Sequence, residues 1–95
     1  MSDWVVYIIY CSDKSLYTGI SNDVEKRYAQ HVAQKGAKYF RGRKPEKLVY
    51  LEEGHDRSSA TKREIEIKKL SRDNKKQLIF SHRNQIQNIE FDAFV

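Results

Sequence analysis

The stretch Trp4-Val5-Val6-Tyr7-Ile8-Ile9-Tyr10-Cys11 constrains this chain more than any other. It is almost wholly aromatic and β-branched, the composition of a buried central strand. A polar cluster, Ser12-Asp13-Lys14-Ser15, follows it, and Leu16-Tyr17-Thr18-Gly19-Ile20 then reads as the return strand of a hairpin. Side chains alternate faces with period two, so Tyr7 and Tyr17 share a face only if paired residue numbers sum to an even value. An odd turn, such as 12–14 or 12–16, meets that condition. An even four-residue loop puts the two tyrosines on opposite faces.

After the hairpin, Ser21, Asn22 and Asp23 are all good N-cap types. They open a helix to about residue 34, with Val24, Tyr28 and Val32 as its apolar stripe. A loop over 35–45 is bounded by Gly36, Gly42 and Pro45, and 48–51 (Leu-Val-Tyr-Leu) forms a third strand. Asp56 or Ser58 caps a second helix to roughly Leu70, and Ser71 caps a third from Arg72 to about Ser81. The order is ββαβαα, an α+β fold with a three-stranded sheet, an N-terminal hairpin and flanking helices. No repeat or Pro/Gly-rich linker divides the chain, so we expect a single domain over 1–83 and a C-terminal tail over 84–95. The tail's Ile86, Ile89, Phe91 and Phe94 follow no period, leaving an edge strand and partial disorder both open.

The single Cys11 has no internal disulfide partner, and the start of the chain lacks a signal-like apolar region, which points to a reducing cytoplasm. The longest apolar run, 5–10, falls far short of the roughly 20 residues of a membrane span, so a soluble protein with no membrane partner is expected. The formal charge of +5 suits a polyanionic partner, since each neutralised phosphate releases condensed counterions. Within 35–44, Lys35, Lys38, Arg41, Arg43 and Lys44 enclose Tyr39 and Phe40 with no acidic residue between. Cations for phosphate interleaved with aromatic surface for bases compose a nucleic-acid-binding loop. The competing reading is a solvated basic loop whose aromatics tuck into the core.

Glu64 is the most informative single position. With Ala60, Ile67 and Ser71 it falls on one stripe of the second helix, the small and apolar face that should point inward. A lone buried carboxylate is costly without a cation, a metal or donors, so Glu64 is half of an internal arginine salt bridge, or sits on a helix rotated enough to expose it, or is part of a site. Arg27 and His31 sit one turn apart along one edge of the first helix's stripe. Arg27 either satisfies Glu64 or clamps a phosphate, for which its planar fork is suited. His31 reads either as a half-exposed surface residue or as a proton carrier near neutral pH. Tyr7 and Tyr17 are either core residues with hydroxyls at the rim or members of the same site.

Taken in order, Val5-Val6-Tyr7, Tyr17-Thr18-Gly19, Arg27, His31 and Glu64 resemble the signature of the GIY-YIG nuclease superfamily, over about 4–76. Leu-Tyr-Thr-Gly-Ile, Lys-Gly-Ala-Lys-Tyr, Asp-Arg-Ser and Ile-Lys-Lys-Leu-Ser-Arg are similar to its small stand-alone UPF0213 subfamily. The resemblance implies a metal-dependent endonuclease that hydrolyses DNA phosphodiesters, structure-selectively or without sequence preference, in repair or recombination. Glu64 would ligate one Mg²⁺ or Mn²⁺, Arg27 would neutralise phosphate charge, and Tyr7 or Tyr17 would activate or position water. The nucleic acid would be DNA rather than RNA. With no room for a separate DNA-binding domain, a protein partner supplying specificity is a further expectation. Val5 and Thr18 depart from the motif but supply no catalytic atoms. Two rivals are a non-catalytic nucleic-acid-binding module of this fold and a protein-interaction adaptor.

Overall fold

The computed structural model describes residues 3–35 and 38–86. In chain order the elements are β1 (Trp4–Cys11), β2 (Leu16–Ser21), α1 (Val24–Val32), a 3-10 turn (Lys38–Phe40), β3 (Pro45–His55), α2 (Arg57–Lys68) and α3 (Arg72–Ile79). The strands form one antiparallel sheet in the order β2-β1-β3, with the most apolar strand at its centre. This is the expected α+β architecture. The pairs Val5↔Ser21, Tyr7↔Gly19 and Ile9↔Tyr17 all sum to 26, so Tyr7 and Tyr17 share a face. The odd turn that permits this is closed by Cys11 N–H to Ser15 O at 3.0 Å and Lys14 N–H to Cys11 O at 2.8 Å. Lys14 takes the left-handed conformation (φ 69°) that such a three-residue hairpin turn requires.

Alternation along β1 divides the core in two. Tyr7, Ile9 and Cys11 pack with Tyr28 of α1, Phe40, Leu48 and Leu51. Val6 and Ile8 pack on the other face with Tyr50 and with Ala60 and Ile67 of α2, where Leu78 and Ile79 of α3 join them. Asp23 caps α1, and Asp56 caps α2 in a reciprocal capping box with Ser59. Both helices end before the sequence periodicity suggests: α1 stops at Val32, where Lys35 N–H bonds Gln30 O and Gln34 N–H bonds His31 O in a Schellman closure. Its stripe is rotated as well. Val32, expected inside, is 56 % exposed, and His31 takes the buried position.

The third strand runs well beyond 48–51. Its polar end is held by a buried carboxylate: Glu52 accepts from Tyr50 Oη at 2.6 Å, shares a 2.7 Å contact with His55 Nε2, and takes Arg63 Nε on both oxygens at 3.1 and 3.0 Å. Burial alone would push the Glu52 carboxyl up; the Tyr50 hydroxyl, His55 and Arg63 outweigh it and hold it below its ordinary range. At the free edge of β3, Asn84 Oδ1 accepts from Leu51 N–H, Gln85 Oε1 accepts from Glu53 N–H, and Gln85 N–H donates to Leu51 O. Two amide side chains thus occupy a sheet edge that would otherwise offer itself for pairing. Residues 84–86 of the expected tail therefore dock on the sheet, and 87–95 lie outside the described residues.

Candidate functional site

Tyr7 and Tyr17 project from the hairpin on the α1 side of the sheet, toward the β2 edge. The Tyr7 hydroxyl and His31 Nε2 are 3.0 Å apart, both groups buried. The ring of Tyr17 stands edge-on to His31 with centroids 5.4 Å apart, and Phe40 closes the other side of the imidazole at 4.3 Å. His31 is therefore not a half-exposed surface residue. Burial, and then the neighbouring Arg27 charge, push its pKa down to about 4, so the ring is neutral at neutral pH. Carrying a proton near neutral pH, the other role open to it from sequence, does not suit a group with that pKa.

Neutral imidazole has a folded-state pKa below its unfolded value of about 6.5. The unfolded chain consequently binds the extra proton first, and folding stability falls as pH drops from about 6.5 toward about 4. Thermal melting of the wild type beside His31→Gln across this range should show a shallower pH slope for the variant. Parallel slopes would mean that His31 does not carry this proton linkage.

Why the Tyr7 ring reaches the β2 edge is explained by Gly19, its cross-strand partner. A Cβ at Gly19 would lie 2.5 Å from Tyr7 Oη and 2.7 Å from Cζ, with Tyr17 Cε2 at 3.1 Å. The phenol lies across the bare glycine. Gly19→Ala must move a buried ring whose far side is already packed, and a displacement near 1 Å at a reacting group costs about 10²-fold in rate. We expect a loss of that order in any activity depending on Tyr7, together with altered Tyr7 and His31 ring resonances by NMR. Unchanged resonances would remove the basis for this expectation.

Arg27 and Glu64, on two different helices, act electrostatically on both phenols. Arg27 is half-buried, and its Nη1 donates to Gln30 Oε1 at 3.1 Å. Burial raises the Tyr7 hydroxyl's pKa well above the ordinary phenol value; Tyr17 and Glu64 add to the rise, while the charge and donors of Arg27 oppose it. Tyr17 is likewise raised, first by burial, with Arg27 opposing and Glu64 reinforcing. Both phenols thus feel the same cation and the same carboxylate. Ala60 and Ile67, on the Glu64 stripe of α2, are fully buried against the opposite sheet face, whereas the fourth stripe member, Ser71, is exposed as the cap of α3. The Glu64 side chain keeps 20 % exposure and meets Lys68 Nζ at 3.5 Å, so its ionic partner is a lysine one turn on rather than an arginine.

The donor set at Glu64 decides which ion would fit. Among the described residues no three or more His, Cys, Asp or Glu side chains gather into a metal cage. The described residues thus do not build the His/Cys set of a closed zinc site there. A single accessible carboxylate fits an ion that keeps most of its waters and binds through one or two carboxylates plus phosphate, the habit of Mg²⁺.

The basic loop borders the same cluster. Tyr39 lies 5.0 Å from Tyr17, and Phe40, fully buried, lies 4.8 Å from it. Arg43 is committed locally: it pairs with Asp13 of the hairpin turn, donates to Tyr39 O at 3.2 Å and sits 4.2 Å over the Tyr39 ring. Lys35, Lys38, Arg41 and Lys44 are exposed. Of the expected loop contacts, these four cations face solvent, whereas Arg43 and the half-buried Tyr39 brace the loop against the hairpin. Two features escape sequence reasoning: Gly19 as the seat of the Tyr7 ring, and the Glu52 network. Gly19 could have been found from the pairing sum alone.

Comparison with known proteins supplies the remaining observation. Residues 3–77 match the family model described as the GIY-YIG catalytic domain. A UPF0213 protein of Haloquadratum walsbyi is 53 % identical over 79 residues, covering 82 % of this chain and 89 % of that one. One of Clostridium perfringens is 51 % identical over 85 residues, covering 90 % and 91 %. The solution NMR structure of a UPF0213 protein from Bacillus halodurans superposes with a TM-score of 0.55 at 41 % identity, covering 90 % of each chain. No helix among the described residues is long and apolar enough to cross a membrane.

Proposed function

The chain belongs to the GIY-YIG family, in its UPF0213 group, and from that premise we propose that it is a metal-dependent endonuclease that hydrolyses DNA phosphodiesters. The observation that carries this reading is the electrostatic convergence of Arg27 and Glu64 on the phenols of Tyr7 and Tyr17. A guanidinium for phosphate, a carboxylate for a hard cation and a hydrogen-bonded phenol for water are the three parts that phosphodiester hydrolysis needs.

Tyr7 is the better candidate for the base because it alone of the two tyrosines shares a hydrogen bond with His31. His31 Nδ1 is buried without a hydrogen-bond partner among the described residues. With its proton on Nε2, the imidazole strands only a lone pair and donates to the Tyr7 oxygen; the other tautomer strands an N–H donor, which is rarer in folded proteins. One N–H group, from His31, then faces the phenol oxygen, and with the charge of Arg27 it favours the phenolate against the burial that raises the pKa. Such a phenolate accepts the proton of a water attacking phosphorus. Arg27 neutralises the phosphate, and Lys38, Arg41 and Lys44 track the flanking backbone. A Mg²⁺ or Mn²⁺ ion held by Glu64 would supply Lewis-acid stabilisation of the leaving oxygen.

The test is incubation of branched, nicked and single-stranded DNA with Mg²⁺ or Mn²⁺, wild type beside Glu64→Ala. We expect cleavage by the wild type and none by the variant. Equal cleavage by both removes Glu64 from the site. The raised pKa of Tyr7 favours one other reading, a module that binds DNA without cutting it, and salt-sensitive binding with no cleavage under any of these conditions would decide for it.

A further inference from the structure

On the sheet face opposite Tyr7 and Tyr17, α3 and the hairpin end of the sheet enclose a hollow of about 320 Å³. Leu16 and Val49 floor it, the aromatic side chains of Tyr10 and Phe80 wall it, and Arg72 and Lys76 of α3 line it as well. A second hollow of about 460 Å³ shares Val49, Ile79 and Phe80 with the first and carries Lys47. Phe80 therefore stands between two recesses, and at 87 % exposure it is the most exposed large apolar side chain among the described residues. Among the described residues, neither recess has a carboxylate in its lining.

We propose that this surface is a second nucleic-acid contact, one that takes unpaired bases on the ring of Phe80 while Arg72, Lys76 and Lys47 hold the adjoining phosphates. It rests on the nucleic-acid reading of the chain and deepens it, by making single-stranded DNA part of what is bound. An apolar recess whose charged lining, among the described residues, is cationic is complementary to a base attached to a phosphate. Stacking on an isolated aromatic ring requires a base whose face is free, so the surface addresses single strands and the unpaired arms of branched DNA rather than continuous duplex. The placement agrees with this. Tyr10 pairs with Leu16 and Lys47 at the hairpin end of the sheet. The basic loop is fastened at that same end, through Arg43 to Asp13 and Lys44 N–H to Ser12 Oγ. A strand leaving the loop reaches the Phe80 surface by passing over that end.

Fluorescence anisotropy on the full chain tests this, with a labelled oligothymidine of about 12 nucleotides and a duplex of equal length. Phe80→Ala, an exposed change that leaves the core intact, should weaken binding to the single strand about tenfold and to the duplex by less than about twofold. Phe80→Trp should restore single-strand affinity, and its added emission should be quenched by the oligonucleotide. Replacing Arg72 and Lys76 by Gln should reduce the slope of log affinity against log salt by about one per cation removed. Single-strand binding by Phe80→Ala equal to that of the wild type overturns the proposal. So does a wild type that sediments as a dimer and becomes monomeric in Phe80→Ala, which would make the ring a contact between copies. Absence of cleavage in the Glu64 experiment leaves this binding test untouched, so the two readings fail separately.

Discussion

Arg27→Ala is expected to slow DNA cleavage by about 10³–10⁵-fold, the range set by arginines that contact a transferring phosphoryl group. The size follows from where the guanidinium sits. It is half-buried, beside phenols whose pKa values it lowers and an imidazole it helps keep neutral. A cation in such partly desolvated surroundings acts on phosphate charge much more strongly than one in open solvent. Its side-chain bond to Gln30, one turn away on the same helix, contributes little to folding. Melting temperature should therefore barely change while the single-turnover rate collapses. Arg27→Lys should fall between, because it keeps the charge and loses the planar fork. An alanine variant cleaving within about tenfold of the wild type would place Arg27 outside the chemistry.

Arg63→Ala carries the largest expected effect on stability. Glu52, 8 % exposed, loses two of its hydrogen bonds at once and keeps Tyr50 and His55. Breaking a fully buried pair costs about 3–5 kcal/mol. With two partners remaining and Arg63 partly open to solvent, about 2–4 kcal/mol is the expected loss. In a chain this short that amounts to a melting temperature lower by roughly 10–25 °C. The pH dependence has a definite sign. The folded pKa of Glu52 is depressed, so its contribution is present above the unfolded value of about 4.3 and is lost as pH falls through the folded one. The gap between wild type and Arg63→Ala should therefore narrow below about pH 4. Adding Glu52→Gln to an Arg63→Met background should recover part of the loss, because no buried charge is then left unpaired. A gap that stays constant into acid would show that the Glu52–Arg63 pair is not its source.

The hairpin was legible from residues alone because its information is local. A β-branched and aromatic run and a polar turn mark the hairpin, a parity rule makes the shared face of Tyr7 and Tyr17 conditional on an odd turn, and the register sum of 26 meets that condition. The caps were legible for the same reason: Asp23 and Asp56 satisfy backbone N–H groups within three residues of themselves. Glu64 could be singled out because helical periodicity places it between Ala60 and Ile67 whatever the rest of the chain does. The length of β3 was not legible. Glu52, Glu53 and Gly54 look like loop, and it takes Tyr50, His55 and Arg63, the last eleven residues later, to make a buried glutamate tolerable in a strand.

His31 marks the boundary most clearly. The periodicity of α1 admits either residue 31 or residue 32 on the inner face, and hydropathy favours Val32. Which one turns inward is decided by Tyr7 from one strand and by Phe40 from the turn after the helix, which together offer the imidazole a hydrogen bond and an aromatic slot. The sequence by itself determined the hairpin strands, the caps, the charge and the candidate carboxylate, each through residues close together in the chain. The tertiary structure alone decided which polar groups are desolvated together, because the pKa of a phenol, an imidazole or a carboxyl depends on neighbours brought from distant parts of the chain.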